Sequence, residues 1–449
     1  MNTEIFKSYD IRGVYPKEIN EDSIYKIGQA YVKIIKPQGK VVVSRDVRIH
    51  SESLVKALIN GLTDAGMDVV DIGLVSTEML YFAVANYGFA GGLQVTASHL
   101  PAEYNGLKLV REEAKPVFSD NGLYEIRDLI VAGKEKIESE LKGTLEQKDV
   151  LEDFSKFSLD FIDSQTIKPL KLVYNPNFGF EAEVLKKVVE IGSLPLTLAG
   201  LNDKPDGTFP KGRPDPFRPE NRPEFIEKVK SEQADLGVAW DADADRVFFC
   251  TKEGVFVEPY FMSALLIKII LAKNPGAKIV YDPRYTWALI DSAKVNGGEA
   301  VISRVGHSFI KEKMREVDAV FCGESSGHIY FKNFWYADSG MIPLLLVLEL
   351  ISKGGDLDDL LKPYFEKYFI SGEINNEVEN GEEKIAFLKE RYADGKISEL
   401  DGLSVEYNRD WRFNVRPSNT EPLLRLNVEA KNKELMEEKR DELLKIIRA

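Results

Sequence analysis

Cysteine and histidine are scarce in this chain, long apolar runs are missing, and positive charge is in deficit. Only two cysteines occur among 449 residues, Cys250 and Cys322. Each lies in an apolar stretch of strand character, Val247-Phe248-Phe249-Cys250 and Ala319-Val320-Phe321-Cys322. A disulfide framework is thereby excluded, and a reducing compartment fits. The most apolar stretch, 341–351, is too short to span a bilayer and carries Glu349. The opening Met1-Asn2-Thr3-Glu4-Ile5-Phe6-Lys7 has neither the basic nor the apolar segment of a secretory leader, so a cytoplasmic protein with no membrane partner is expected. Lys and Arg number 59 against 73 Asp and Glu, a formal charge of −14. An acidic chain of this kind lacks the basic face that nucleic-acid binding requires, and an anionic ligand would depend on local cations.

What is present is an ordinary globular composition, 44% hydrophobic and 29% charged, on a chain too long for one core. Strand-like and helix-like segments alternate, the pattern of α/β units with parallel strands. The first round reads 41–43, 51–65, 69–72, 77–86 and 93–96; the second 170–174, 181–191, 195–198, 223–233 and 236–240. The third reads 259–273, 278–281, 287–294, 300–303, 309–317 and 319–322. A charged connector (134–148) and a Pro-rich excursion (205–223) punctuate them. From Pro363 the strict alternation is lost, and the chain closes with a helix over 433–448. The expected division is 1–147, 148–250, 251–362 and 363–449: three similar α/β units and one smaller α+β unit.

The most informative segment is Trp240-Asp241-Ala242-Asp243-Ala244-Asp245-Arg246, where an apolar strand runs out. Carboxylates at i, i+2 and i+4 of an extended loop point to one side and repel unless a cation neutralises them, which implies a hard divalent ion. An EF-hand is excluded, because its sixth position would be Arg246 rather than Gly and its twelfth Lys252 rather than Glu. A second segment, Thr96-Ala97-Ser98-His99-Leu100-Pro101, also follows a strand. Ligands of open α/β sheets bind at the carboxyl ends of strands, so Ser98 with His99 is a candidate nucleophile site, although the segment alone also reads as a plain capped turn. Downstream, Lys108 is a cation able to meet an anion there.

Gly323-Glu324-Ser325-Ser326-Gly327-His328 carries a carboxylate and hydroxyls suited to sugar hydroxyls. Gly306-His307-Ser308 opens the helix 309–317, whose free N–H groups could hold a phosphate. Arg416-Pro417-Ser418-Asn419-Thr420-Glu421-Pro422 supplies a guanidinium, two hydroxyls and an amide, a compact set of phosphate donors without a Walker pattern. Three of the four histidines fall in these loops; the fourth, His50, reads as a surface or cap residue before the helix at Ser51.

Together, and in this order, the segments resemble the α-D-phosphohexomutase family in its phosphomannomutase/phosphoglucomutase branch, over the whole chain. The opening Ser8-Tyr9-Asp10-Ile11-Arg12-Gly13 is similar to that branch's N-terminal signature. The resemblance implies three similar mixed-sheet α/β domains plus a smaller C-terminal α+β domain, related to the TATA-binding-protein fold, around a central cleft. It implies that Ser98 is the phosphorylated serine and that Asp241, Asp243 and Asp245 hold Mg²⁺ together with its phosphate, Arg246 belonging to the same loop. It further implies that Glu324 and Ser326 grip two sugar hydroxyls beside His328, that Tyr9 joins the substrate-binding set, and that Arg416, Ser418, Asn419 and Thr420 hold the phosphate that is not reacting. Three positions depart from the family pattern: Leu100 stands where Asn is usual, Ala242 and Ala244 where glycines are usual, and Arg284 where a phosphate-contacting Lys is common.

The implied activity is interconversion of hexose 1-phosphate and hexose 6-phosphate, of mannose and/or glucose, by a monomer acting on a small sugar phosphate. Phosphoserine 98 gives its phosphoryl group to the substrate, forming a hexose 1,6-bisphosphate that is both intermediate and activator; the bisphosphate turns over and returns its other phosphoryl group. Lys108 and Arg246 are expected to balance the transferring charge, His328 and Arg12 to handle the proton with support from His99, and the chain to hinge near Lys362-Pro363. The alternatives are a phosphoglucosamine or N-acetylglucosamine-phosphate mutase, a metal-dependent phosphatase with an aspartyl nucleophile, and an inactive sugar-phosphate sensor for which Leu100 is the support.

Overall fold

Short apolar runs alternating with amphipathic stretches can bury their faces only by strand–helix–strand crossovers. In the computed structural model, which describes residues 1–137, 139–417 and 423–449, the chain forms two compact units. One comprises Met1–Phe256 and Gly327–Asp356, the other Val257–Ser326 and Leu357–Ala449.

The first unit contains a six-stranded sheet ordered Ile11–Val14, Tyr104–Arg111, Gly91–Val95, Val41–Arg45, Val69–Leu74 and Leu145–Gln147. Val41–Arg45 runs parallel to both of its neighbours, and its three valines are fully buried, which is why it reads as a continuous apolar run. A second sheet sets Leu196–Gly200, Leu170–Asn175 and Leu236–Trp240 in parallel, with Val247–Thr251 returning antiparallel to Leu236–Trp240. Trp240 pairs with Val247, so the three aspartates lie on the six-residue hairpin turn 241–246. Likewise Gly91–Val95 and Tyr104–Arg111 are antiparallel, and the serine loop 96–103 closes that hairpin. Both candidate loops therefore sit at the carboxyl ends of strands, but they lead into antiparallel returns rather than crossover helices.

In the second unit Glu299–Ile302, Lys278–Tyr281 and Phe321–Gly323 are parallel. Its C-terminal part is an antiparallel sheet in the order Phe369–Ile370, Leu423–Ala430, Trp411–Pro417, Leu403–Tyr407 and Lys396–Ser398, with Ile374–Glu377 also pairing to Leu423–Ala430. The helix Lys433–Arg448 buries Met436, Leu443 and Ile447 in the core that includes Phe413 and Val428.

Three local expectations change. The charged connector ends in the edge strand Leu145–Gln147, parallel to Val69–Leu74. The helix expected from Phe309 already starts at His307, with Gly306 as its cap. Pro363 is not an open hinge: it lies inside the helix Leu357–Phe365, and the bonds from Glu366 N–H to Lys362 O and Tyr368 N–H to Tyr364 O carry the turn onward. Among the described residues, no helix is long and apolar enough to cross a membrane.

The helix Ser51–Asp64 packs on Glu21–Ile35 through Gly61, where a Cβ would lie 2.3 Å from the carbonyl oxygen of Tyr25. Alanine favours a helix by about 1 kcal/mol over glycine, but backbone overlap of this kind costs about 1–3 kcal/mol. Gly61→Ala is expected to lower Tm in thermal unfolding. An unchanged or higher Tm would show that the two helices separate without cost.

Candidate active site

Ser98 adopts φ 49°, the left-handed region, at the tip of its hairpin loop. A residue other than glycine held there costs about 1–3 kcal/mol and persists only where its surroundings impose it. The turn is closed by Leu100 N–H donating to Ala97 O (3.0 Å), and Ser98 N–H donates to the Thr96 hydroxyl oxygen (2.9 Å). The Ser98 hydroxyl donates to Asp241 Oδ2 at 2.8 Å and lies 3.1 Å from His99 Nδ1. With leucine at position 100, the side chains that meet the Ser98 N–H and hydroxyl are those of Thr96, His99 and Asp241. Burial, then the charges of Arg246, Arg213 and Arg12, hold the His99 imidazole well below its ordinary value, so the ring is neutral.

Asp241, Asp243 and Asp245 are at most 1% exposed, and their ligand oxygens lie within 4.8 Å of one another. At that spacing each pair of charges costs roughly 3 kcal/mol for an effective dielectric near 20. Lys108 opposes them: its ammonium contacts Asp243 Oδ2 at 2.7 Å and also Asp245 Oδ2. The hydroxyls of Thr77 (2.7 Å) and Thr96 (3.2 Å) donate to Asp243 Oδ2, and Arg246 N–H donates to Asp241 Oδ1 (3.2 Å). Burial, then Asp245 and Asp243, holds the Asp241 carboxyl well above its ordinary value. For Asp245 burial acts the same way, but Lys108, His328 and Arg246 outweigh it and hold that carboxyl low. Burial likewise works against the Lys108 charge, and Asp243 and Asp245 overcome it.

Lys108 and Arg246 flank the three carboxylates, and Asp243 Oδ1 is nonetheless buried with no hydrogen-bond partner among the described residues. Three hard oxygen donors, one of them without a partner, fit a divalent cation, so the triad could hold a metal ion. Lys108, expected to meet an anion near Ser98, places its ammonium against Asp243 and Asp245 in this structure. Of the two alanines in the loop only Ala244 is strained, at φ 57°, the conformation a glycine would adopt freely.

Arg12 donates to Thr96 O (2.5 Å) and pairs with Asp10 (2.8 Å). His328 is buried, with Nε2 3.5 Å from Asp245 Oδ1 and 3.9 Å from Asp338 Oδ2. Tyr9 is half-buried just before the strand Ile11–Val14. The first unit thus gathers Ser98, His99, Lys108, Arg12, Asp241, Asp243, Asp245, Arg246 and His328. His50 occupies the expected helix cap position and is half-buried, with its ring engaged: Nε2 lies 3.0 Å from Ala102 O, Nδ1 2.8 Å from Asn105 Nδ2, and Tyr15 stacks on it. Thr77 and Asp338 escaped the sequence reading, as nothing near either in the chain marks it.

In the second unit Arg284 is bound by carboxylates: Asp282 (2.9 Å), Glu324 (3.0 Å) and Glu373 (3.6 Å). Burial opposes its charge, and these three outweigh burial to keep it protonated. Glu373 also lies 3.7 Å from Arg416 and 3.4 Å from Arg425, so it draws Arg284 and Arg416 into one cluster with Glu324. His307 is buried in the first turn of its helix, with Nδ1 3.4 Å from the Ser308 hydroxyl, and Ser326 is half-buried. Ser418, Asn419 and Thr420 lie outside the described residues. Arg412, which the sequence reading missed, donates to the carbonyls of Pro283 and Arg284, both at 2.7 Å.

Four domain families match the chain in order. They are described as phosphoglucomutase/phosphomannomutase alpha/beta/alpha domain I (residues 3–136), domain II (150–254), domain III (258–368) and C-terminal domain (373–446). A phosphomannomutase of Escherichia coli is 45% identical, with 99% of each chain covered. A protein of Xanthomonas campestris pv. campestris named phosphohexose mutases is 43% identical over all of both chains. Among solved structures, a phosphoglucomutase/phosphomannomutase family protein from Burkholderia thailandensis superposes with TM-score 0.89 at 33% identity, covering 99% of this chain and 97% of that one.

The strand carrying the aspartates is tied to the start of the helix Met341–Gly354 by Trp240 Nε1 donating to Gly340 O (3.0 Å). Glu78 caps the same helix, accepting from the N–H groups of Gly340 (3.0 Å) and Met341 (3.3 Å) and from the Ser339 hydroxyl. Burial pushes the Glu78 carboxyl up to about 7 from its ordinary 4.5. A raised carboxyl contributes stability that is complete below its unfolded value and is lost as pH rises through the folded one. The Glu181 carboxyl beside it is also raised, by burial and then by Glu78, so the two share that loss, and Glu78→Gln, which keeps an oxygen acceptor, removes the part due to Glu78. Its Tm relative to the wild type is expected to rise between pH 5 and pH 8; a gap constant with pH would show that Glu78 does not titrate there.

Proposed function

Given that the chain belongs to the phosphoglucomutase/phosphomannomutase family and is a hexose phosphate mutase, an isomerase of sugar phosphates, we propose that it interconverts the 1- and 6-phosphates of mannose and/or glucose with Ser98 as phosphoryl carrier. The observation that carries this reading is the 2.8 Å contact of the Ser98 hydroxyl with Asp241, one of three buried carboxylates able to bind a metal. Transfer breaks the bond from phosphorus to the seryl oxygen and forms one to the sugar oxygen, so negative charge develops on the seryl oxygen. Asp241, Asp243 and Asp245 would hold Mg²⁺, which when bound would supply withdrawal of that charge. Lys108 holds Asp243 and Asp245 in place, and Arg246 adds positive charge beside Asp241.

The sugar hydroxyl gives up its proton as its oxygen bonds phosphorus. His328, set between Asp245 and Asp338, is assigned to receive it; Arg12, already protonated and paired with Asp10, holds Thr96 O at the start of the serine loop, and neutral His99 supports Ser98. In the second unit Glu324, kept in place by Arg284, reads sugar hydroxyls with Ser326, while Arg416 with Ser418, Asn419 and Thr420 holds the distal phosphate; His307 of this unit and, separately, Tyr9 of the first are also assigned to substrate binding. A hexose 1,6-bisphosphate is then the intermediate, and in trace amounts the activator that restores phosphoserine.

Ser98→Ala is expected to abolish conversion of mannose 1-phosphate and glucose 1-phosphate in a coupled assay. It should also prevent the single phosphoryl gain that the wild type is expected to show in intact mass after exposure to hexose 1,6-bisphosphate. Wild-type turnover in Ser98→Ala would rule out the serine carrier. Asp243→Asn should lower kcat by about 10²–10³-fold and raise the Mg²⁺ concentration needed for half-maximal rate; an unchanged Mg²⁺ profile would remove Asp243 from the metal site.

A further inference from the structure

The serine loop is gripped from behind by a side chain with no part in the chemistry above. Arg48 follows the strand Val41–Arg45, is 1% exposed and has all five of its N–H groups engaged. Nε donates to Asp46 Oδ2 (3.1 Å). Nη1 donates to the carbonyls of Pro101 (2.6 Å) and Tyr104 (3.1 Å), and Nη2 to those of Ser98 (2.7 Å) and Leu100 (2.6 Å). Four carbonyl oxygens of one short loop turned toward one point repel each other. A planar cation with diverging donors relieves this, whereas the three donors of an ammonium on a flexible stem do not match the arrangement.

The cradle around Arg48 is built for that task. A buried cation needs a partner, and Asp46 supplies it while its other oxygen accepts from Arg48 N–H (3.0 Å) and the Ser51 hydroxyl (2.6 Å). The Phe209 ring lies over the guanidinium at 4.9 Å, and Gly207 pairs with Arg48 where any Cβ would meet Val47 O at 2.1 Å. Two residues on, His50 approaches the carbonyl of Ala102 in the same loop. The Pro-rich excursion thus packs against the support of the serine loop, and Arg213 within it donates to His99 O (3.1 Å).

We infer that Arg48 is a positioning residue for Ser98: by binding the carbonyls of Ser98, Leu100, Pro101 and Tyr104 it imposes the left-handed turn that presents the seryl oxygen to Asp241. The inference rests on the reading of Ser98 as phosphoryl carrier. The local bonds from Leu100 N–H to Ala97 O and Tyr104 N–H to Pro101 O close the turn, and the guanidinium adds the restraint that makes an unfavourable φ the only one available.

The test compares wild type, Arg48→Lys and Arg48→Ala, each checked for fold by circular dichroism. A misplacement near 1 Å costs about 10²-fold in rate. Arg48→Lys is therefore expected to lose about that factor in kcat for mannose 1-phosphate while KM stays within about threefold. Arg48→Ala should lose at least as much and regain about tenfold with millimolar guanidinium but not with methylammonium, which lacks the planar fork. A folded Arg48→Lys with kcat within about threefold of wild type, a change confined to KM, or no recovery with guanidinium would overturn the inference. Loss of fold in both variants would also overturn it, by making Arg48 a determinant of the whole unit rather than of this loop. Wild-type turnover without phosphorylation of Ser98 would instead refute the serine carrier, and the positioning role with it.

Discussion

Asp241, Asp243 and Asp245 share a six-residue turn with almost no access to water, so their mutual repulsion has to be absorbed by protein groups and by whatever cation they bind. Lys108, on the strand Tyr104–Arg111, answers part of it, and the hydroxyls of Thr77 and Thr96 answer another. These groups come from three separate places in the chain, and each is also attached to the element that follows. Thr77 begins a helix, Thr96 begins the serine loop, and Lys108 belongs to the strand returning from that loop. Satisfying the carboxylates therefore also fixes where Ser98 stands.

The same device of burying cations among oxygen atoms recurs in the second unit. Arg284 lies among Asp282, Glu324 and Glu373, and Arg412 spends its guanidinium on the carbonyls of Pro283 and Arg284. Arg416 and Arg425 stand directly opposite one another on neighbouring strands, an unfavourable pairing for like charges that Glu373 moderates. A chain with a formal charge of −14 attracts a phosphorylated sugar only through such local clusters, since its overall field opposes the approach.

Backbone strain is placed where these clusters meet the chemistry. Ser98 and Ala244, one on each candidate loop of the first unit, both hold left-handed conformations that their residue types disfavour. Leu100 shows how a departure in side chain is tolerated: its carbonyl is bound by Arg48 and its N–H by Ala97 O, so the loop uses position 100 through its backbone.

The sequence by itself determined the alternation of strand and helix over most of the chain, the apolar run Val41-Val42-Val43, the alternate spacing of Asp241, Asp243 and Asp245, and the places of Ser98 and Glu324 just beyond strands. These are local properties, set by the periodicity of apolar residues and by the reach of side chains a few positions apart. Tertiary structure alone decided that Lys108 turns to the aspartates, that His50 faces the serine loop, that Glu78 caps a distant helix, and that Arg48 binds Ser98 from behind. Their partners lie 50 to 263 residues away along the chain. Over such separations no pattern of spacing specifies a contact, because packing of the sheets, and not the run of the backbone, selects which donor meets which acceptor.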